Sequence, residues 1–405
     1  MNGGSRGLHA SIGRKTGPPR HIVLHGDARA PSPKGTALSG HIPESSLHDS
    51  ALDLLGFERF RVLFADSAAA SLTPARVVRT VRGSLTAATA DGLVRAEVAA
   101  HLLKSAEELE ALPAVGDWVA LRYGDGMEVP LAEAILPRHS AFVRRDPGKA
   151  AVGQVIAANI DTVFILQPID TVPNLRRLER EISLAWESGA TPVIVLSKSD
   201  LSPDCAADLA TAESVAFGVD VILESGKTGE GVDALLAYAN GHRTVALIGP
   251  SGAGKSTLVN RLVGADVQAV AKVRAFDGKG RHVTVARELI PLPGGGVLID
   301  TPGLRAVALW DSEAGVAAAF PEITELAGSC RFADCTHVTE PGCAVLAALE
   351  SGVLERTRYD SYVDLMRETA FVAREKDARL RAVEKSKGKA DHESQREHDR
   401  QKYGE

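Results

Sequence analysis

The sequence predicts a multidomain α/β protein: a small all-β barrel in the N-terminal part, a doubly wound α/β domain in the middle, and a helical domain near the C-terminus. Three observations carry this. Between residues 77 and 143, short strand-like runs at 77–83, 92–98 and 115–121 are separated by Gly, Asp and Pro, as in a small all-β unit. From Asp161 the period alternates: an apolar run at 162–166, a helical stretch with Leu175, Leu178, Ile182 and Ala185 on one face, then an apolar run at 192–196. Strand, helix, strand at this spacing makes a parallel sheet, and the alternation continues through 219–223, 232–239 and 244–248. After Trp310, a helical region encloses three cysteines and a histidine.

With 405 residues, 44% of them hydrophobic and 24% charged, the chain has globular composition and room for two or three domains. No run reaches the roughly 18 consecutive apolar residues of a membrane helix, and the first fifty residues hold no apolar core behind their basic residues. A soluble, cytoplasmic protein without a membrane partner is the expectation. The net charge of −6 means that any nucleic-acid binding must use local basic patches. The expected layout is a flexible leader over 1–55, the barrel over 56–146, the α/β domain over 147–310, the helical domain over 311–372, and a tail over 373–405 dense in both charge signs. Nothing signals an oligomer, so a monomer is expected.

Gly249, Pro250, Ser251, Gly252, Ala253, Gly254, Lys255, Ser256 and Thr257 follow an apolar strand and open a helix-like run, which is the context of a phosphate-binding loop. Its glycines let successive N–H groups point at a β-phosphate, Lys255 reaches the β and γ oxygens, and Ser256 ligates Mg²⁺. Ser197, Lys198 and Asp200 end another apolar strand. There a carboxylate can accept from guanine's ring N–H and exocyclic amine while the Lys stem packs over the base. Taken alone these residues fit a solvated turn equally well. Ser225, Gly226 and Lys227 follow a third apolar strand, as a base-supporting loop should, and the two loops together favour guanine over adenine.

Asp300, Thr301, Pro302 and Gly303 end the apolar run 296–299. Asp300 can hold Mg²⁺ through water, and the Gly303 N–H can meet a γ-phosphate. Thr284, within Gly280, Arg281, His282, Val283 and Thr284, is the candidate second Mg²⁺ ligand and γ-phosphate sensor. Lys198 and Asp200 precede Lys255 by more than fifty residues, the reverse of the usual order in Ras-like enzymes, so the P-loop GTPase domain is read as circularly permuted. Leu304 stands where those enzymes carry a water-orienting Gln, so hydrolysis should be slow and need help from elsewhere. His282 is the nearest titratable candidate for orienting water, although contact with a phosphate or with solvent fits it equally.

Cys330, Cys335, His337 and Cys343 form a C-x4-C-x-H-x5-C set whose soft donors suit one closed, structural, tetrahedral Zn²⁺. Cys205 stands apart as a packed thiol. In the barrel segment Arg138, His139, Arg144, Arg145 and Lys149 gather at the C-terminal end, which suggests RNA contacts, with a purely structural barrel as the other reading. The aromatics Trp118, Tyr123 and Phe142 are too sparse to advertise base stacking.

The combination of Val115, Gly116, Asp117, Trp118 and Val119 with the phosphate loop, Gly280-Arg281-His282, Asp300 to Gly303 and the Cys/His element resembles the RsgA (YjeQ) family of small ribosomal subunit biogenesis GTPases. The likeness covers roughly residues 77–368. It implies an OB-fold barrel, a circularly permuted GTPase domain and a C-terminal helical zinc-binding domain. It also implies GTP and GDP with Mg²⁺ as ligands, the small ribosomal subunit and its rRNA as partners, and hydrolysis stimulated by the subunit late in its maturation and coupled to release. The alternative is an RNA-binding assembly chaperone with vestigial hydrolysis; an ATP-using enzyme is opposed by Asp200. Three departures stand out: Ser197 replaces the family's Asn or Thr, valines flank Thr284, and Gly226 replaces the usual Ala, which should loosen that turn.

Overall fold

The computed structural model describes residues 51–66, 71–81, 83–104, 111–124, 126–146, 149–264, 288–300, 313–375, 377–378 and 381. The leader before residue 51, the tail from residue 382, and His282, Thr284, Gly303 and Leu304 lie outside the described residues.

Strands β1 (Thr73–Val81), β2 (Ser84–Thr89), β3 (Gly92–Val98), β4 (Trp118–Arg122) and β5 (Leu131–Ile135) close into a barrel in the order β1-β2-β3-β5-β4. Every pairing is antiparallel except β3 with β5, which gives the five-stranded OB barrel. Alternate residues fill its interior: Ala75 and Val77 from β1, Leu85 and Ala87 from β2, Val119 and Leu121 from β4. Outside it, Leu52, Phe57, Phe60 and Phe64 from the preceding helical turns pack over Trp118. A hairpin of β6 (Ala141–Asp146) and β7 (Lys149–Ala158) follows.

The α/β domain is a six-stranded sheet in the order β10-β9-β8-β11-β13-β12, made of β8 (Thr162–Pro168), β9 (Thr191–Ser197), β10 (Asp220–Glu224), β11 (Thr244–Ile248), β12 (Glu288–Pro291) and β13 (Val297–Asp300). All pairs are parallel except β12 with β13. Both faces are covered, so the strands are apolar throughout rather than alternating. On one face Val163 and Ile165 meet Leu178, Ile182 and Ala185 of helix α1 (Leu175–Glu187). On the other, Phe164 and Leu166 meet Val232 and Leu235 of α3 (Val232–Leu236) and Leu258 and Leu262 of α4 (Lys255–Val263), while α2 (Cys205–Glu213) lies between β9 and β10 in the chain. The strand order reverses between β8 and β11, which puts the ligand crevice at the carboxyl ends of these strands.

The C-terminal part comprises α5 (Glu313–Ala319), α6 (Pro321–Ala327), α7 (Ala344–Glu350) and a helix α8 over 356–375. Arg358 of α8 joins it to the α/β domain. Its buried guanidinium donates to Glu179 Oε1 of α1 at 2.8 Å, to Glu322 Oε1 at 2.7 Å and to the Ala319 carbonyl at 2.7 Å, and it stacks 4.0 Å from the Phe320 ring. Arg76 plays the matching part at the barrel end of the sheet. Fully buried, it donates to Thr244 Oγ1 at 2.7 Å and to the carbonyls of Leu55 and Gly116, and lies over the Trp118 ring. Thr244 begins β11, the strand that leads to the phosphate loop.

Candidate nucleotide and metal sites

At the switch point β11 runs into Gly249, whose φ of +136° is open to glycine alone; a Cβ there would lie 2.6 Å from the Leu166 carbonyl of β8. Gly252 and Gly254 also have positive φ, so the loop curls, and Lys255 and Ser256 start α4. Lys255 Nζ donates to the Gly249 carbonyl at 2.8 Å and to that of Pro250, lying back across the loop it closes. Ser251, Gly252, Ser256 and Thr257 are exposed, while Ala253 is buried.

The two base loops are bound to each other and to this loop. Ser197 Oγ, buried at the end of β9, donates to the Ala253 carbonyl at 2.8 Å. Lys198 takes a left-handed φ of +65° and pairs with Asp170 at 2.6 Å. Ser225 Oγ donates to Asp200 Oδ1 at 2.6 Å, with Lys227 Nζ 3.7 Å from Oδ2. The Ser225 hydrogen bond holds the Asp200 carboxyl below its ordinary range, so it stays an acceptor-only carboxylate, the form that can receive two N–H groups of a purine edge. From α4, Arg261 donates to the carbonyls of Gly226 at 2.9 Å and Lys227 at 2.7 Å. Asp300 ends β13, beside β11, and is exposed at the same edge of the sheet. The sequence thus brings Ser197, Lys198, Asp200, 225–227, 249–257 and Asp300 to one crevice. Asp170 and Arg261 escaped sequence reading because their contacts cross between elements.

The second site is the Cys/His cluster. The ligand atoms of Cys330, Cys335, His337 and Cys343 all lie within 4.8 Å of one another. Cys330 Sγ is 3.8 Å from Cys343 Sγ, and His337 Nδ1 is 3.6 and 3.5 Å from those two sulfurs. A tetrahedral zinc with sulfur at about 2.3 Å sets neighbouring sulfurs about 3.8 Å apart, so the four residues fit one zinc ion. The Ala344 N–H donates to Cys330 Sγ and the Leu346 N–H to Cys343 Sγ, as suits thiolate ligands. Without a cation, crowding opposes the charge: burial and the neighbouring thiols push Cys335 up to about 11. Glu340 braces the ligand loop. It accepts from the Thr336 hydroxyl and from the N–H groups of Thr336, Val338 and Thr339, and these bonds hold its carboxyl down at about 2. Tyr359 of α8 donates to the His337 carbonyl at 2.7 Å.

With both sites described, comparison with known proteins assigns the chain. The sequence model of the RsgA GTPase family matches residues 135–310. A small ribosomal subunit biogenesis GTPase RsgA of Streptomyces coelicolor is 45% identical over 86% of this chain and 93% of its own length. The chain belongs to the RsgA GTPase family. A protein of the same name from Opitutus terrae is 44% identical, over 86% of this chain and 98% of its own. Among solved structures, YloQ, described as a circularly permuted GTPase, aligns with TM-score 0.53 and 25% identity over 74% of this chain and 95% of its own. YjeQ from Thermotoga maritima shares the fold, with TM-score 0.56 and 23% identity over 74% and 98%. The expected fold class of barrel, circularly permuted P-loop domain and zinc-type helical domain is therefore met.

Two departures from the family's usual residues take on a physical meaning. Arg261 holds the Gly226 carbonyl, and a Cβ there would lie 2.7 Å from Thr257 Cγ2, so an Ala would require this Thr side chain to shift. Ser197 keeps a hydroxyl but commits it to Ala253. The Gly116-Asp117-Trp118 motif proves to be structural. Asp117, wholly buried, is gripped by Arg138 through two bonds of 2.7 Å, the Trp118 ring is buried, and a Cβ on Gly116 would lie 2.2 Å from the Ala158 carbonyl. Arg138, only partly exposed, is therefore engaged by Asp117 and the Leu112 carbonyl. His139 is exposed, with Nε2 3.5 Å from Asp161, Trp118 and Phe142 are buried, and Tyr123 keeps an exposed ring. Of the remaining basic cluster, Arg144 is partly exposed, and the side chains of Arg145 and Lys149 lie outside the described residues.

Proposed function

We propose that this chain is a GTPase that binds the small ribosomal subunit and hydrolyses GTP to GDP and phosphate, stimulated by the subunit, during late subunit maturation. The observation that carries it is the joining of a phosphate loop and an Asp200-centred base loop in one crevice, through Ser197 to Ala253 and Arg261 to Gly226 and Lys227. The names of its relatives supply the partner. In this reading Asp200 accepts from the guanine N1–H and amine, Lys198 covers the base, and the loop 225–227 supports it. Residues 249–257 wrap the phosphates, and Lys255 leaves the Gly249 and Pro250 carbonyls to meet the β and γ oxygens.

Ser256 and Asp300, exposed on adjoining elements, fit a Mg²⁺ accompanying the nucleotide, with Thr284 as a further ligand; the ion would neutralise charge on the β and γ oxygens. Gly303 contributes an N–H to the γ-phosphate, and His282 is the candidate for orienting water where Leu304 replaces a Gln. The Cys/His cluster has no open position once four ligands are filled, so its zinc is structural. No helix among the described residues is long and apolar enough to cross a membrane, and the reading is of a cytoplasmic monomer.

The test is the hydrolysis rate of GTP, with ATP as control, with and without purified small ribosomal subunits at fixed low salt. A large rise confined to GTP is expected. Equal rates with and without subunits would refute the stimulated GTPase and leave an RNA-binding assembly chaperone, which Lys255→Ala would then not impair in cells.

A further inference from the structure

A lysine stem can cover a base only if something fixes where the stem lies, and here the fixing group stands outside the nucleotide motifs. Strand β8 ends at Pro168, beside Ser197 of β9. The next residue prolongs the contact: the Ile169 N–H donates to the Ser197 carbonyl at 3.0 Å, and the Ile169 side chain is buried. At the other end of the connection Gln167 Oε1 accepts from the Asn174 N–H and from Arg177, while Asn174 caps α1 by accepting from the Arg177 N–H. The segment 169–174 is thus short and braced at both ends, and it carries Asp170 past the end of β8.

On β9 the chain turns at Lys198, whose φ of +65° is a conformation that residues other than glycine adopt at a cost. The two functional side chains of the base loop then part. Asp200 meets Ser225 Oγ after β10, on one side of β9, and the Lys198 ammonium meets Asp170 Oδ2 at 2.6 Å after β8, on the other. The Lys198 stem therefore crosses from the end of β9 past that of β8, on the side of the crevice towards β11 and the phosphate loop. The ion pair is open to a ligand, since the Lys198 side chain is 29% exposed and that of Asp170 32%.

An untethered lysine spreads over many rotamers, and ordering it against a base costs side-chain entropy at the moment of binding. An ion pair at the far end of the stem, already made in the free protein, meets that cost in advance. We propose that Asp170 is a positioning residue for nucleotide binding: its carboxylate tethers the Lys198 ammonium so that the stem stands ready as a platform for the guanine ring. The inference rests on the guanine-nucleotide reading above and deepens it, because Asp170 acts through Lys198 and belongs to none of the loops that sequence reading assigned to the nucleotide.

The experiment measures dissociation constants of GDP and of inosine diphosphate, which lacks the amine that Asp200 would receive, for the wild-type chain, Asp170→Asn, Asp170→Glu, Lys198→Ala and the double variant Asp170→Asn with Lys198→Ala. Asp170→Asn should weaken GDP about fivefold, the upper end for a partly exposed ion pair, and Asp170→Glu, which keeps the carboxylate, should recover most of that. Inosine diphosphate should weaken by the same factor, because a platform does not read the amine. In the Lys198→Ala background Asp170→Asn should cost nothing further, since the stem it tethers is gone. Asp170→Asn as tight as wild type, the same loss with and without the Lys198 stem, no recovery with Glu, or a changed ratio of GDP to inosine diphosphate affinity overturns the proposal and leaves the guanine reading intact. Lys198→Ala as tight for GDP as wild type overturns the base-covering role of Lys198 and the proposal with it.

Discussion

Arg358 offers the sharpest test of how the C-terminal part is held to the α/β domain. Arg358→Met keeps most of the volume and the contact with Phe320 but removes three charge-assisted bonds, those to Glu179, Glu322 and Ala319 at 2.7–2.8 Å. Glu179 is 2% exposed and its second oxygen already lacks a partner, so the variant strands a buried carboxylate on α1. Breaking a buried pair from one side costs about 3–5 kcal/mol, and this pair has a second acid, Glu322, that shares the loss. Adding Glu179→Gln removes the stranded charge and should return about 1–3 kcal/mol, a coupling measurable in a double-mutant cycle. Urea denaturation followed by tryptophan fluorescence reads it, since Trp186 sits on α1 against the same core cluster. A loss below about 1 kcal/mol for Arg358→Met, or two substitutions whose effects simply add, would refute the claim that this ion pair joins the two parts.

Gly226→Ala should weaken GDP binding about tenfold, by forcing a Cβ to 2.7 Å from Thr257 Cγ2, and Thr257→Ser should restore it by removing that methyl; titration calorimetry on the two variants decides. Lys255→Ala should lower the subunit-stimulated turnover of GTP by a factor on the order of 10² or more, with thermal stability close to wild type, because the ammonium meets loop carbonyls in the free protein and phosphates in the complex. Metal analysis should find one zinc per chain, and Cys335→Ser should lose it and open the loop 330–343 to protease while the α/β domain keeps its melting transition. Glu224→Gln should raise the melting temperature of the nucleotide-free protein at pH 8 and leave it unchanged at pH 4. The carboxyl is raised to about 7 in the fold, so stability is full below the unfolded value and is lost as pH rises through the folded one; equal gains at both pH values would contradict that sign.

Much of this was legible in the chain because it is written locally. Apolar runs bounded by Gly and Asp mark β8, β9, β10 and β11 to within a residue or two, since strands buried on both faces are apolar throughout. The C-x4-C-x-H-x5-C spacing places four soft donors on one short loop, and the glycines of 249–254 mark the phosphate loop before any coordinate is known. Strands β2 (SLTAAT) and β5 (LAEAI) were not singled out, because small alanines carry little hydrophobic signal and only barrel closure makes these segments pair.

What the tertiary structure alone decided is where each charge and each gap goes. Arg138, a candidate RNA contact, is held by the buried Asp117, and no local pattern distinguishes a paired arginine from a solvated one. Arg76, Arg261 and Arg358 look in sequence like ordinary surface cations, yet each ties elements far apart in the chain. Gly226 reads as a weakened family motif until Thr257 and Glu224 are seen to occupy the space a methyl would need. Sequence determines periodicity and spacing, which act over a few residues. Burial, counter-charge and the volume left between elements exist only once the chain has closed on itself, and these decide which carboxyl keeps its proton and which arginine faces water.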